Sequence, residues 1–301
     1  MGFFDLNGSI GRRFGSMGVS LQMPQTHIEV AVGEGEAADA YVERAKLIIL
    51  KHAGIQTPVH IRVIEQIPRH AGLGSGTQMA LAVGAGISAL FNLNLPLRDI
   101  AGLIGRGARS GIGIGTFATG GVVLDAGSNA NTIVPPIIAQ YKFPETWRIL
   151  LMFDPQYTGV HGDAELQAFR QLEDHGLSNT QQLSHQLLMQ ALPALVEQDL
   201  TAFGKAVSAL QAYNGDYFAP VQGGRYASKG VSAVLNDLLA HGVDCVGQSS
   251  WGPTGFAIFA NQQEAEAHLS RLQSRFADTG LSWKICAANN GGAHINIRNK
   301  G

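Results

Sequence analysis

The sequence of 301 residues contains few cysteines and few charged residues. Cys245 and Cys286 are its only cysteines, and both lie in mostly apolar surroundings. Such cysteines are typical of reduced, buried thiols rather than of a disulfide framework or a metal pair. Charged residues make up 15% of the chain, the formal net charge is -2, and no long Lys/Arg run occurs. This composition argues against nucleic acid and against an anionic membrane as partners.

Long apolar runs and metal-binding motifs are missing too. No apolar run reaches the length of a membrane span, and no basic-then-apolar leader opens the chain, so we expect a cytoplasmic protein. Cys/His pairs at zinc spacing and an H-E-x-x-H motif are absent, which argues against a zinc site. The apolar helical segments and the low charge together predict a homodimer.

Glycine, in contrast, is abundant, with 38 residues that cluster in loops. The richest stretch, 67–80, reads IPRHAGLGSGTQMA, between a β-branched run at 58–64 and an apolar segment at 80–91. This pattern predicts a strand, a glycine-rich turn and a buried helix whose unpaired N–H groups would bind phosphate. The spacing is neither that of a Walker loop nor G-x-G-x-x-G. The alternative is a turn that only packs a helix on a strand.

Periodicity predicts an α+β fold with a first domain over 1–145 and a second over 146–301, divided near the Pro135-Pro136 pair. The hydrophobic content of 45% suffices for a sizeable core. The first residues, before the 7–13 loop, are predicted to be the end of a strand. Further predicted strands cover 17–21, 26–32, 58–65, 121–125, 147–153, 243–247, 255–260, 283–287 and 293–297. Predicted helices cover 37–52, 80–90, 97–104, a segment from 163, 181–196, 200–212, 226–241 and 262–277.

Two motifs resemble those of the GHMP kinase superfamily. Pro68-x-x-x-Gly72-Leu73-Gly74-Ser75-Gly76 resembles its phosphate loop, and Ser110-Gly111-Ile112-Gly113 followed by Gly120-Gly121-Val122 resembles a second segment. The resemblance implies a GHMP-kinase-like two-domain fold, with an N-terminal mixed α/β layer and a C-terminal ferredoxin-like half. In those kinases a catalytic aspartate stands where this chain has Gly113. Their loop usually reads Ser-Ser-Ala, where this chain has Ser75-Gly76-Thr77, so kinase chemistry is not expected.

Four segments in the same order resemble the β-ribofuranosylaminobenzene 5′-phosphate synthases, a non-kinase family of this superfamily. The segments are 5–12, 72–78, 105–113 and 248–254. The resemblance implies that 4-aminobenzoate, or 4-hydroxybenzoate, is joined to phosphoribosyl pyrophosphate with release of CO2 and pyrophosphate, in tetrahydromethanopterin biosynthesis. The family normally has several residues before the start of this chain, so we expect part of the first strand to be missing.

This reaction assigns expected roles to the motif residues. The diphosphate would bind at Gly72, Gly74, Ser75, Gly76 and Thr77, with the Ser75 and Thr77 hydroxyls also available to Mg²⁺. Arg106, Arg109 and Ser110 are the expected catalytic residues, and Asp5, Asn7, Arg12, His161 and Trp251 the expected substrate-binding residues. Each has a plainer alternative: solvated arginines, Asx turns at Asp5 and Asn7, a polar surface histidine, and packing of Trp251.

Two other functions stay open at this point. The first is an ATP-dependent GHMP-type small-molecule kinase that uses the same turn, which would need another carboxylate in place of Gly113. The second is a phospholigand-binding protein without catalysis. The leading reaction needs no strong general base, because loss of CO2 replaces loss of a proton from the ring, which agrees with a glycine at position 113.

Overall fold

The computed structural model describes residues 1–159, 167, 169, 172 and 176–298. In the first half, an antiparallel sheet has the strand order β1 (Gly2–Asp5), β2 (Gly15–Val19), β5 (Val122–Asp125), β6 (Ile137–Tyr141). Strands β3 (His27–Val32) and β4 (Val59–Glu65) pair separately. The helices are α1 (Ala40–Ala53), α2 (Ser75–Leu90), α3 (Leu97–Leu103) and α4 (Ile112–Thr119).

The second half begins with strand β7 (Arg148–Phe153) and continues, in its described part, with a run of helices. These are α5 (Leu177–Gln186), a π-helical turn (Leu187–Ala191), α6 (Leu192–Glu197), α7 (Leu200–Gln222) and α8 (Lys229–Ala240). Strands β8 (Val246–Gln248) and β9 (Gly255–Phe259), helix α9 (Gln262–Arg275), a short 3-10 turn (Ala277–Thr279) and β10 (Ser282–Cys286) follow. The antiparallel order β10-β7-β9-β8 is ferredoxin-like, which confirms the predicted α+β fold.

The arrangement of the apolar cores explains how the two halves fit together. Helices α1 to α4 and the β3–β4 pair enclose one core around Ile49, Leu81 and Ile100. A second core joins Leu124 of the first sheet to Ile149 of the second and to residues of α5 to α7. A shared core of this kind holds the two halves together, because separating them would expose apolar surface to water. The domain boundary at 145/146 stays a prediction, and it lies in the loop between β6 and β7.

Helix α4 was not among the predicted elements. It contains Gly113, Gly115 and two threonines, which are weak helix formers in isolation. Here packing outweighs propensity: added Cβ atoms at Gly111 and Gly115 would fall 2.9 Å from atoms of Pro135 and Ile137, respectively. The glycines therefore let α4 approach the 135–137 segment closely.

Other boundaries also differ from the sequence prediction. Helix α7 runs on to Gln222 rather than ending at 212, and β6 was not predicted. The predicted strand at 293–297 is wrong, because this segment has no strand partner and its side chains are exposed. It lies instead against the end of α4, where the Ala293 N–H donates to the Phe117 carbonyl at 2.8 Å. The helix predicted from 163 lies outside the described residues. Within the described ranges, no helix combines the length and apolar character needed to cross a bilayer.

The contact between α2 and α3 yields a stability prediction. A Cβ at Gly84 would overlap Cγ2 of Ile100. Alanine is favoured over glycine in a helix by about 1 kcal/mol, but overpacking costs about 1–3 kcal/mol. We therefore expect Gly84→Ala to lower the free energy of unfolding measured in urea. Ile100→Leu removes Cγ2, so it should recover part of that loss in the double variant. A more stable Gly84→Ala protein would contradict this packing.

Candidate active site

The glycine-rich stretch forms a loop that ends at the first turn of α2. Gly74 precedes this turn in the left-handed conformation (φ 70°), provides no side-chain cap, and no acidic residue follows in the first turn. The first N–H groups of a helix have no intrahelical acceptors, and the helix dipole is positive at this end. Gly74 is exposed, and Ser75 and Gly76 are partly exposed. The arrangement suits a bound anion, and the loop residues predicted for diphosphate lie together here.

The second half of the protein holds this loop in place through main-chain contacts. Gly72 has φ 76°, and a Cβ there would overlap the Ser249 carbonyl oxygen. The Ser249 hydroxyl donates to the Gly72 carbonyl at 2.8 Å. The Gly159 N–H donates to the His70 carbonyl at 3.2 Å. Gly72 therefore permits close approach between two loops, whereas a Cβ at Gly74 would meet no protein atom within 4 Å.

Arg106 lies against the first turn of α2 and is held by a tyrosine. The Tyr41 hydroxyl donates to the Gly76 carbonyl at 2.6 Å, and Arg106 Nε donates to the same hydroxyl oxygen at 2.9 Å. The guanidinium carbon lies 5.0 Å from the Tyr41 ring centroid. Burial raises the pKa of Tyr41, which keeps its hydroxyl protonated. The sequence offered no signal for Tyr41, because it stands on α1 far from any motif.

Ser110 belongs to a buried hydrogen-bond network centred on Asp125. Asp125 Oδ2 accepts from Ser16 Oγ at 2.6 Å, from Ser110 Oγ at 3.0 Å and from the Gly111 N–H at 2.9 Å, and its Oδ1 accepts from the Gly127 N–H at 2.8 Å. Asp125 is fully buried, and this burial raises the pKa of its carboxyl. The network fixes the start of α4. The sequence prediction missed Asp125, which reads as the end of an apolar strand.

The two departures from the kinase pattern, Gly113 and Thr77, lie next to each other in the structure. A Cβ at Gly113 would lie 2.8 Å from Cγ2 of Thr77, closer than real side chains approach. The neighbouring Gln78 donates through Nε2 to the Gly113 carbonyl at 2.7 Å. Thr77, in place of the kinase alanine, thus fills the space that a larger residue at 113 would enter. Thr77 and Gly113 form one packed pair.

Arg109 and Trp251 lie in a different environment from Arg106. The Arg109 guanidinium carbon is 4.8 Å from the Phe169 ring centroid. Phe169 and Phe218 pack on Trp251, with ring centroids 5.3 and 4.2 Å away. Trp251 is only 4% exposed, so in this structure it is a packing residue and not an open wall. Its predicted substrate contact would require this aromatic cluster to open.

Asp5 and Asn7 have the turn geometry that was their alternative interpretation. Asp5 Oδ1 accepts from the N–H groups of Asn7 and Gly8 at 3.0 and 3.1 Å. Asn7 Oδ1 accepts from the Ser9 N–H at 3.0 Å. These bonds shape the loop that carries Arg12. Substrate binding by Asp5 and Asn7 stays a prediction, and His161 lies outside the described residues.

Metal binding and thiol chemistry have limited support from the side chains. In the ranges that the structure describes, no group of three or more His, Cys, Asp or Glu residues is placed to hold a metal ion. Ser75 and Thr77 provide hydroxyl oxygens, which fit a Mg²⁺ ion that arrives with a diphosphate better than an independent protein site. Cys245 and Cys286 are both free and buried, and burial raises the pKa of Cys286 to about 11.

Comparison with known proteins agrees with this architecture. The family model for the GHMP kinases N terminal domain matches residues 40–121, and that for the GHMP kinases C terminal matches 191–278. Homoserine kinase from Cytophaga hutchinsonii superposes with a TM-score of 0.65 at 16% identity, covering 92% of this chain and 90% of that one. Galactokinase from Lactococcus lactis gives a TM-score of 0.66 at 16% identity, covering 96% and 90%. The fold is that of the GHMP kinase superfamily.

Curated relatives narrow the assignment within that superfamily. A beta-ribofuranosylphenol 5'-phosphate synthase from Archaeoglobus fulgidus is 36% identical, covering 97% of this chain and 95% of the relative. A protein of the same name from Methanocaldococcus jannaschii is 33% identical, covering 86% of each chain. The chain belongs to the family of the β-ribofuranosylphenol 5′-phosphate synthases. The resemblance seen in its sequence motifs is confirmed, whereas the roles of individual site residues stay predictions.

The Asp125 network predicts a pH-dependent stability difference. Asp125→Asn places an amide NH2 group among donors, so we expect it to lower the free energy of unfolding at pH 7 by about 1–3 kcal/mol. The raised pKa means that the folded state binds more protons, so the wild-type contribution is larger in acid and falls as pH rises from 3.8 through the folded-state pKa. Urea unfolding should therefore show a larger wild-type advantage at pH 4 than at pH 7.

The exposed Asp278 provides a control for this titration. Asp278→Asn should change stability little at either pH, because its carboxylate remains in water. A wild-type advantage over Asp125→Asn that does not change with pH would contradict the assignment.

The Thr77–Gly113 pair predicts coupling between two substitutions. Gly113→Ala forces an added methyl against Thr77, so it should lower the free energy of unfolding by about 1–3 kcal/mol. Thr77→Ser removes Cγ2 and keeps the hydroxyl, so the double variant should recover at least about 0.5 kcal/mol relative to additivity. Denaturant unfolding of the four proteins measures this coupling. Strictly additive effects would mean that the two residues do not compete for space.

Proposed function

We propose that the protein joins a 4-substituted benzoate to the ribosyl group of phosphoribosyl pyrophosphate and releases pyrophosphate and CO2, in tetrahydromethanopterin biosynthesis. The observation that carries this proposal is the first turn of α2. It offers unpaired N–H groups and Arg106 to a diphosphate, while the position of the kinase carboxylate holds Gly113, where a side chain would press against Thr77. The names of the relatives favour a phenol product and hence 4-hydroxybenzoate as acceptor. 4-Aminobenzoate is the alternative acceptor.

The bonds balance without a general base. The ring carbon that bears the carboxylate attacks the anomeric carbon, and the bond from that carbon to pyrophosphate breaks with its electron pair on the leaving oxygen. The bond from the ring to the carboxylate then breaks, CO2 departs, and its electron pair restores the aromatic ring. The 4-hydroxyl or 4-amino group donates electron density during the attack. The main task of the protein is therefore to stabilise the leaving diphosphate.

The side chains around the loop have distinct roles in this scheme. N–H groups of Ser75, Gly76 and Thr77 bind the diphosphate, and Arg106 adds a charged donor beside Gly76. Tyr41 positions Arg106, and Asp125 positions Ser110. A Mg²⁺ ion bound with the diphosphate would neutralise leaving charge, with the Ser75 and Thr77 hydroxyls as its protein contacts. Arg109, the residue before Ser110, is proposed as a further catalytic residue.

The direct test supplies the protein with phosphoribosyl pyrophosphate, Mg²⁺ and carboxyl-labelled 4-hydroxybenzoate or 4-aminobenzoate. We expect labelled CO2 to be released in proportion to a ribosylated phenol or aniline detected by chromatography.

A parallel incubation with ATP and a panel of small alcohols tests the kinase alternative. ATP turnover without CO2 release would replace our proposal by that alternative, and ligand binding without either reaction would favour a binding protein. Size-exclusion chromatography tests the predicted homodimer.

Gly74 allows the anion site to be tested separately from catalysis. Gly74→Val places a branched side chain beside the unpaired N–H groups, so it should weaken pyrophosphate binding at least about tenfold in calorimetry, a loss of about 1.4 kcal/mol. Gly54→Val is the matched control, because Gly54 has nearly the same φ (67°) and also no protein atom within 4 Å of an added Cβ. Both variants bear similar backbone strain. Equal pyrophosphate affinity in the two variants would refute the loop as the diphosphate site.

A further inference from the structure

A second concave site lies beside the loop that carries Arg12. This pocket has a volume of about 310 Å³, at the small end of the range for ligand pockets. It is formed between the β1–β2 loop, the start of α3 and the segment that precedes β6. The lining residues used below are Arg12, Arg98, Thr132, Ile133, Val134 and Pro136. None of them belongs to the glycine-rich loop.

The pocket contains two guanidinium groups and no acidic side chain among its lining residues. Arg12 Nη2 lies 3.4 Å from Thr132 Oγ1, and Arg98 Nη2 donates to the Val134 carbonyl at 2.8 Å. Neither arginine forms a salt bridge with a carboxylate of the described residues. An arginine has five N–H donors, so most donors of each guanidinium remain available. Two such groups facing one cavity favour an anion.

The polar side of the pocket is held in position before any ligand binds. The Thr132 hydroxyl donates to Asn129 Oδ1 at 2.7 Å and accepts from the Asn129 N–H at 3.0 Å. In the β1–β2 loop, Asp5 accepts hydrogen bonds that shape the turn leading to Arg12. A pre-formed arrangement lowers the entropy cost of binding.

The other side of the pocket is apolar. Ile133 is 74% exposed, although it lies next to the buried Val134, and Pro136 continues the wall. Most of the Ile133 side chain is therefore in contact with water, beside two arginines that form no salt bridge within the described ranges. A bound apolar ring would cover this wall, whereas inorganic phosphate would leave it in water.

We propose that the Arg12–Arg98 pocket binds a small aromatic carboxylate, with its carboxylate at the two guanidinium groups and its ring on Ile133 and Pro136. The pocket and the glycine-rich loop both lie against the chain segment 102–106. A Cβ at Gly102 would lie 3.3 Å from Cγ2 of Ile133, and Arg106 of this segment lies beside Gly76 in the first turn of α2. The identification of this ligand as the acceptor rests on the proposed function, whereas binding itself does not.

The test measures binding of 4-hydroxybenzoate by calorimetry in the absence of phosphoribosyl pyrophosphate. Arg98→Gln and Arg12→Gln should each weaken binding at least tenfold. Ile133→Ser removes the apolar wall without a change of charge, so it should weaken 4-hydroxybenzoate severalfold and leave any inorganic phosphate binding unchanged. Arg62→Gln is the matched control, because Arg62 is an exposed arginine paired with Glu29 on a different sheet. Gly74→Val should not alter the affinity.

Unchanged affinity in both pocket-arginine variants would overturn the proposal, as would inorganic phosphate that competes as well as the benzoate does. Thermal melts establish that each variant is folded. The outcome separates this site from the proposed reaction. Binding that is lost in Arg98→Gln, together with no product from the wild type, would retain the pocket and reject the reaction. Product formation with an unchanged KM for the acceptor in Arg98→Gln would retain the reaction and reject the pocket.

Discussion

An α-helix leaves the N–H groups of its first turn without acceptors, and the structure around α2 is organised by this constraint. Most helices satisfy these groups with a side-chain cap, but α2 begins after Gly74, which provides none. The neighbouring contacts preserve this arrangement. Ser249 binds the Gly72 carbonyl and Tyr41 binds the Gly76 carbonyl, so protein groups hold the loop through its carbonyl oxygens and leave its N–H groups for a ligand.

Carboxylates near these elements are already committed to other partners. Asp39 pairs with Arg69 and accepts from the first N–H groups of α1, and Asp125 accepts four hydrogen bonds. Asp125 therefore uses about all of the acceptor sites of its carboxylate, and Asp39 uses most of them. Together with the Thr77–Gly113 pair, this agrees with the proposed reaction, which is driven by stabilising a leaving anion rather than by removing a proton.

The 248–254 motif contributes to the site through support. Ser249 holds the glycine loop, the Gly252 carbonyl lies where a Cβ at Gly159 would overlap it, and Trp251 packs with Phe218 in an aromatic cluster. Sequence motifs are often interpreted as ligand contacts, but this one fixes the relative position of two backbone segments. Such positioning matters because anion binding by main-chain N–H groups depends on where the backbone lies.

The sequence by itself determined the α+β class, most of the long elements and the glycine-rich loop before α2, because apolar periodicity and glycine spacing are local properties of the chain. It also revealed the family, since four motifs occur in order. Tertiary structure alone decided that α4 is helical despite its glycines, that Tyr41 contacts Arg106 and Asp125 contacts Ser110, and that Trp251 is buried. Each of these depends on residues distant in sequence: Asp125 meets Ser16 across 109 positions, and Tyr41 meets Arg106 across 65. No local pattern records such contacts, because they form only when the packed core brings the elements together.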